Sequence, residues 1–320
     1  MSKKLKNSLS IVLPILLGVF LIIYTYNSFT NEQITKMKSY FVHANYFYVT
    51  LSGILAFIGY LLRAYRWRYT LEYVGYPSDF KFNLVVISIC YFLNLTIPRS
   101  GEVSRAALLS KYKNVPFDKG FGTIIAERII DFIVLLFFIF IAVVLEFSTL
   151  KNFLLEYIPI KNLLIIGFIG FLLGLITLYL FLYSKFSLVL KIKEKIAGFT
   201  QGIFSVFKMP NKWPFFLQTI LIWITYVLMF YAVIYALDET RIISFGAVIV
   251  AFVIGSLTIA FTNGGFGFFP ILIAKILVLY AIPEEAGNAF GWIVWTSQLV
   301  FTILFGGISF LILPTFRTKN

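Results

Sequence analysis

The sequence has one cysteine, Cys90, and one histidine, His43. A single thiol excludes an intrachain disulfide and a thiolate zinc site. With one imidazole in the chain, HExxH zinc chemistry and histidine-based nucleophilic triads have no components; His43 itself lies in a polar stretch and reads as solvated. Charge is scarce as well. Only 13% of the 320 residues are charged, where a soluble domain carries about 25%. Acidic residues are the rarer kind, 14 against 27 Lys and Arg, which leaves a formal net charge of +13. No phosphate-cradling glycine loop of the ATPase type is present, and no cofactor or metal is expected.

The chain instead has long apolar runs, with 60% hydrophobic residues. These indicate an integral membrane protein. The basic residues are scattered through loops between apolar runs, so the positive-inside rule explains them better than nucleic-acid binding does. Nucleic acid is not an expected partner; anionic lipid headgroups are. The lysines at 3, 4 and 6 before the run from Leu9 to Tyr26 resemble a signal sequence. That run is long for a signal segment and no small-residue cleavage site follows, so it reads as an uncleaved first helix.

Nine apolar runs are candidate helices: Leu9–Tyr26, Tyr46–Tyr65, Phe82–Ile97, Gly122–Leu145, Leu163–Tyr183, Phe215–Leu237, Phe245–Phe261, Phe266–Ala281 and Ala289–Leu313. Spanning takes about 20 residues, so Phe82–Ile97, Phe245–Phe261 and Phe266–Ala281 are marginal. Loop charge sets the sides. The loop carrying Arg63, Arg66, Arg68 and Lys81 reads as inside, and so does the next one, with Arg99, Arg105, Lys111, Lys113 and Lys119. One spanning helix cannot join two inside loops. A re-entrant pair removes the conflict: Phe82–Ile97 goes in, the chain turns at Pro98, which lacks a backbone donor, and Gly101–Leu109 returns. The same conflict arises on the outside. Asp238–Arg241 and Glu284–Glu285 flank two short runs, broken at Asn263, Gly264, Gly265, Phe266 and Gly267.

Short, Gly- or Pro-interrupted segments in corresponding places of two halves point to an inverted-repeat transporter with its site near the midplane. The alternative is that every marginal run spans. The expected fold is one all-α polytopic bundle over residues 1–320, with about eight membrane segments, two of its elements re-entrant or broken, and an inverted repeat suggested by hydropathy and charge alone. The segment from Lys185 to Trp213 fits an amphipathic interfacial helix or a basic connector. Trp67, Trp213, Trp292 and Trp295 read as interface anchors.

Between and within the apolar runs stand Arg99, Glu102, Arg105, Glu127, Arg128 and Asp131. A charge at the bilayer centre costs about 2.5–3.5 kcal/mol on insertion scales, so these groups need partners, water or a ligand. If helical, Glu102 and Arg105 share a face and can pair. Pro98 and Gly101 resemble a helix start, whose free N–H groups favour an anion. Arg99 and Arg105 add guanidinium forks suited to phosphate. Ordinary positive-inside charge explains the same residues.

A helix beginning near Gly120 puts Asp131 near mid-bilayer, on one face with Glu127 and beside Arg128. This triad keeps one net negative charge and calls for Arg99 or Arg105 as a partner. It serves either as a polar track or as a salt-bridge lock. The glycine break lets backbone approach a ligand, or makes only a tight turn. Lys275, inside the last marginal run, either snorkels to the surface or faces the same cavity.

On these residues the sequence resembles the lysylphosphatidylglycerol synthase/flippase transmembrane family. The first matching block is Asn94, Pro98, Gly101, Glu102 and Arg105; the second is Glu127, Arg128 and Asp131; the third is Gly264, Gly265 and Gly267. Where the family's glycine block usually opens with proline and is followed by glutamate, this chain has Asn263 and Pro270. The resemblance implies a bundle of about eight helices that handles polar lipids. In large bifunctional members it flips aminoacylated phosphatidylglycerol made by a soluble synthase domain. This chain stops at Asn320, so aminoacyl transfer is not expected, and a lipid-modifying enzyme encoded separately would be its partner.

The expectation is therefore a non-enzymatic, multi-pass protein of a bacterial inner membrane, with cytoplasmic termini, that binds and flips a phosphate-bearing lipid. Arg99, Gly101, Glu102 and Arg105 would bind phosphate. Glu127, Arg128 and Asp131 would form the intramembrane network, and Pro98 with Asn263–Gly267 the breaks. The alternatives are a lipid-binding scaffold and a lipid-linked transferase.

Overall fold

The structure is a computed structural model that describes residues 19–20, 22–96, 100–157, 206–262 and 264–316, with isolated positions between 162 and 190. Pro98, Arg99 and Asn263 lie outside the described residues, as do most of the first apolar run and the Lys185–Trp213 connector. Ten α-helices follow one another among the described residues: α1 (Asn31–His43), α2 (Tyr46–Tyr73), α3 (Phe80–Thr96), α4 (Ser100–Lys113), α5 (Phe117–Leu145), α6 (Phe147–Tyr157), α7 (Lys212–Ile234), α8 (Phe245–Phe261), α9 (Phe268–Val278) and α10 (Glu284–Ile312). A 3₁₀ turn, Leu313–Phe316, ends the described chain. Helices α2, α5, α7 and α10 are long and apolar enough to cross a membrane, and there are no strands among the described residues.

Length follows the pattern long, short, short, long, and then repeats: α2 to α5, then α7 to α10. The second set runs the other way. At one end of the bundle the Asn45 amide, which opens α2, donates to the Ala236 carbonyl just past α7 at 2.8 Å. At the other end Asn211, which opens α7, donates to Glu72 near the close of α2 at 3.3 Å. Helices α2 and α7 are thus antiparallel. Across the sets, α3 packs on α10 as α8 packs on α5, the relation an in-plane pseudo-two-fold requires.

Each pair of short helices is a hairpin whose open ends lie on one side. Lys113, closing α4, pairs with Asp79, just before α3, and holds that carboxyl below its usual range. Phe316 packs edge-on against Phe82 there, so α10 ends beside the mouth of the first hairpin. The second hairpin opens at the opposite end, around Glu146. Ser244, the N-cap of α8, donates to Glu146 Oε1 at 3.0 Å. Just past α9, burial and then the Glu146 carboxylate push the Tyr280 phenol up. Lys275 does reach the surface, paired with Glu284 at 2.7 Å.

Hairpins pack this closely because of small residues, as membrane helices need in the absence of a hydrophobic drive. A Cβ on Gly101 would sit 2.1 Å from the Cys90 carbonyl across the first hairpin, and one on Gly255 would sit 2.7 Å from the Phe269 ring across the second. Sequence boundaries fell short at several ends. Helix α2 runs to Tyr73 rather than Tyr65, carrying Arg63 and Arg66 inside the helix instead of in a loop. The stretch read as a loop after Asn27 contains α1, opened by a capping box between Thr30 and Gln33. His43 ends that helix exposed, as expected.

The hairpins fix a labelling pattern. In a Cys90→Ala background, Asp79→Cys and Lys113→Cys should react with an impermeant maleimide from one side of a sealed vesicle, and Glu146→Cys and Glu284→Cys from the other. Labelling of 79 and 113 from opposite sides would mean that α3 spans.

Candidate functional site

The buried charge gathers where α2, α4 and α5 meet. Counted from Phe117, where α5 begins, Glu127 lies about 15 Å and Asp131 about 21 Å along the helix. This is deeper than a start near Gly120 implied. Arg63 and Arg66, one turn apart on α2, meet Asp131 from the side. Arg63 Nη1 donates to Asp131 Oδ2 at 2.9 Å. Arg66 straddles the carboxylate, with Nη1 on Oδ1 at 2.7 Å and Nη2 on Oδ2 at 3.1 Å. Arg66 Nη1 also reaches Thr219 on α7 at 3.0 Å, and Arg63 Nε donates to the Tyr226 hydroxyl on the same helix. One carboxylate therefore ties three helices together.

The first hairpin joins through α4. Arg105 Nη1 lies 2.9 Å from Glu127 Oε2, and its guanidinium carbon sits 3.7 Å over the Trp67 ring. A desolvated contact of that kind contributes about 2 kcal/mol. Trp67 is locked beneath it by an indole hydrogen bond to Thr123 at 3.0 Å. Glu102 and Arg105 share a helix face but do not pair with each other. Each reaches across to α5, Glu102 to Arg128 at 3.4 Å and Arg105 to Glu127. Arg128 lies 3.9 Å from Asp131.

All of these groups are nearly buried except Arg128, whose side chain keeps 34% exposure. It lines a groove of about 370 Å³ with Ile125, Ile129 and Phe132.

Arg63 and Arg66 were assigned by sequence to a cytoplasmic loop, yet they carry the strongest bonds of the network. Their 5% and 0% exposure and the continuation of α2 to Tyr73 explain the difference. Trp67, read as an interface anchor, is fully buried. Trp295 also does other work: its indole donates to the Gly264 carbonyl at 2.8 Å, holding the second break. Trp213 is exposed, as an anchor would be.

In that break Gly264, Gly265 and Gly267 have φ of 63°, 81° and 75°, left-handed backbone that side chains resist. Gly101 serves the close contact described above, and its amide is taken by the Asn94 side chain at 2.8 Å. Among the described residues no group of acids, His and Cys could hold a metal.

The ledger of charge is informative. Arg63, Arg66, Arg105 and Arg128 oppose Glu102, Glu127 and Asp131, so four cations minus three anions leaves one positive charge among the described residues. Several polar atoms lack hydrogen bonds: Arg66 Nε, Arg105 Nε and Nη2, Arg128 Nε, Glu102 Oε2 and Glu127 Oε1. Arg66 Nε faces Glu127 Oε1 at 3.9 Å, and Arg128 Nε faces Glu102, so small shifts would satisfy those two donors. The two free nitrogens of Arg105 have no hydrogen-bond partner among the described residues.

Fold and network together define a polytopic helical membrane protein with an arginine–carboxylate cluster beside a hairpin of two short helices. The chain belongs to the family described as Lysylphosphatidylglycerol synthase TM region, which it matches over residues 11–306. It is 28% identical over 171 residues to the UPF0104 membrane protein MJ1595 of Methanocaldococcus jannaschii, covering 51% of this chain and 47% of that protein. It is 30% identical over 84 residues to the Glycosyltransferase AglD of Haloferax volcanii, covering 26% of this chain and 14% of that protein. The chain thus spans about half the length of the first relative and less of the second. No solved structure matches it.

Removing one partner of a buried pair leaves an uncompensated charge, at about 3–5 kcal/mol. Asp131→Asn should therefore lower the thermal midpoint in detergent sharply, because it strands both Arg63 and Arg66. Arg63→Gln should cost less, since Arg66 keeps its grip. An Asp131→Asn protein melting with the wild type would show that the network bears no load.

Proposed function

We propose that this protein binds a phosphate-bearing lipid at the arginine cluster and flips it across the membrane. The observation that carries the reading is the surplus cation of the buried cluster, together with the two unpartnered N–H-bearing nitrogens of Arg105. A phosphate oxygen accepts what they offer, with a charge-assisted bond. Arg99, next to the first hairpin's tip in sequence, would add a further fork. The groove at Arg128 supports access from the lipid side, since Arg128 is the most exposed of the cluster's described members, followed by its partner Glu102. A phosphate arriving there competes with Glu102 for Arg128 and then with Glu127 for Arg105. Guanidinium groups thus exchange one anion for another without passing through an unpaired state.

The ends of the bundle differ in charge. Lys81, Lys111, Lys113, Lys119, Lys208 and Lys212 gather at the mouth of the first hairpin, and Glu146, Asp238, Glu239, Glu284 and Glu285 at the other. By the positive-inside rule the basic end is cytoplasmic, and with it both termini, in the inner membrane. The carboxylates each face a guanidinium, so the chain acts on its lipid by binding and movement rather than by group transfer, and a separate enzyme supplies that lipid. The same pairing favours a second reading, in which the network is a lock in a non-transporting lipid-binding protein.

Purified protein in proteoliposomes separates the two. Wild type should move fluorescent phosphatidylglycerol between leaflets, and Arg105→Ala should slow that at least about tenfold, the equivalent of 1.4 kcal/mol. Arg105→Lys keeps the charge but loses the fork and should fall between. If folded wild-type protein moves neither phosphatidylglycerol nor an isoprenoid-linked phosphate faster than empty vesicles, the lock reading stands.

A further inference from the structure

A seam of neutral polar side chains leads from the arginine cluster to the second hairpin. It starts at Arg63, bonded to the Tyr226 hydroxyl. The hydroxyls of Tyr226 and Tyr91 lie 3.4 Å apart. The Tyr91 ring stacks on Tyr60 with centroids 4.8 Å apart, and the Tyr60 hydroxyl is 3.3 Å from Thr302. One turn back along α10, Gln298 donates to Ser52 of α2 at 3.3 Å. Three residues further back, Trp295 holds the Gly264 carbonyl of the second break.

The spacing is helical on both sides. Ser52, Tyr60 and Arg63 share a face of α2, and Trp295, Gln298 and Thr302 share a face of α10. Neutral polar groups that bond across helices hold membrane bundles together, and this row continues from a cluster of buried charge, where ionisable groups mark sites of function.

The bonds of this seam differ from those of the cluster. Beyond the short Arg63–Tyr226 bond that starts it, the bonds between its neutral side chains measure 3.3 to 3.4 Å, at the long, weak end of the range. The contacts to Asp131 measure 2.7 to 3.1 Å. Tyr91, Tyr226, Gln298 and Thr302 are also only half-buried. The seam is built to open, and the cluster to hold.

Resting on the flipping reading above, we infer that the seam receives the headgroup beyond the phosphate, and that this headgroup is uncharged and rich in hydroxyls, a polyol or a sugar. Hydroxyl and amide groups both donate and accept, and the half-buried rings of Tyr91 and Trp295 border the seam. No carboxylate lines the seam among the described residues. An ammonium group there would find no described carboxylate to pair with along the seam, and a buried unpaired charge is strongly disfavoured. The aminoacylated lipid handled by bifunctional members of the family is such a cation, so this chain selects against it.

The test uses the full chain in proteoliposomes with four probes: phosphatidylglycerol, phosphatidylinositol, lysylphosphatidylglycerol and phosphatidic acid. The first two should cross, and the lysyl lipid should cross at least about tenfold more slowly. Gln298→Leu and Tyr60→Phe each remove one neutral hydrogen bond, about 0.5–1.5 kcal/mol. They should slow phosphatidylglycerol roughly two- to tenfold more than phosphatidic acid, which has no headgroup for the seam.

Equal rates for the lysyl lipid and phosphatidylglycerol would overturn the inference, as would variants that slow all four probes alike. If no probe moves, flipping fails while the seam remains testable by native mass spectrometry of the detergent-purified protein. A preference for phosphatidylglycerol over its lysyl derivative then upholds the headgroup inference; equal binding refutes it.

Discussion

The rest of the molecule depends on one carboxylate. Asp131 sits where a free charge would be intolerable, and it is made tolerable by two arginines from a neighbouring helix. Inside a bilayer helices gain nothing from leaving water, because they have already left it. Packing and polar contacts must hold them, and here the polar contacts are concentrated. Asp131 fixes α5 to α2, Arg66 carries the connection to α7 through Thr219, and Glu127 brings in α4 through Arg105. Each bond also positions the next donor. Beside Arg66, Trp67 is the next residue of α2 and is pinned to α5 at Thr123. That pinned ring is the shelf on which Arg105 rests.

The two halves repeat an architecture without repeating its chemistry. The first hairpin is held by ion pairs and the second by glycine, tryptophan and apolar packing. This asymmetry sets the two hairpins of an otherwise repeated scaffold apart: only the first carries buried charge that could face an anion. Helix α10 links the two. Gly306 lies against Phe92 near the tip of the first hairpin, and Trp295 against the tip of the second. The two points are separated by about 16 Å of helix, with Gln298 and Thr302 between them.

Loop charge made the hairpins legible in the sequence, because a segment flanked by loops of the same sign cannot span. The acid pair in α5 was legible because carboxylates inside an apolar run have no innocent explanation. Arg63 and Arg66 escaped for the opposite reason. Arginine near the end of a run is what a cytoplasmic boundary looks like, and only the reach of α2 to Tyr73 puts them in the interior. The signal was nonetheless present. Ser52, Ala56, Tyr60, Arg63 and Trp67 recur at spacings of four, four, three and four, an unbroken helical face in which the arginine is one more member. The missed α1 had a signal too, in Thr30 followed three residues later by Gln33, the capping-box pattern. Trp67 and Trp295 could not have been placed, since an indole near a helix end looks the same whether it meets headgroups or protein.

A lock and a binding site make different demands on charge. A lock is best when it is neutral and every donor is filled, and even then well-packed apolar residues often do as well or better. This network ends one cation in excess and leaves two nitrogens of its hairpin arginine without acceptors. It also leaves Arg128 partly exposed beside a groove rather than sealed. Neutrality was within reach of a single substitution, since glutamine at 128 would balance the count. Among the described residues the cluster that retains the surplus is under-filled by one anion, the place that the proposed phosphate would fill.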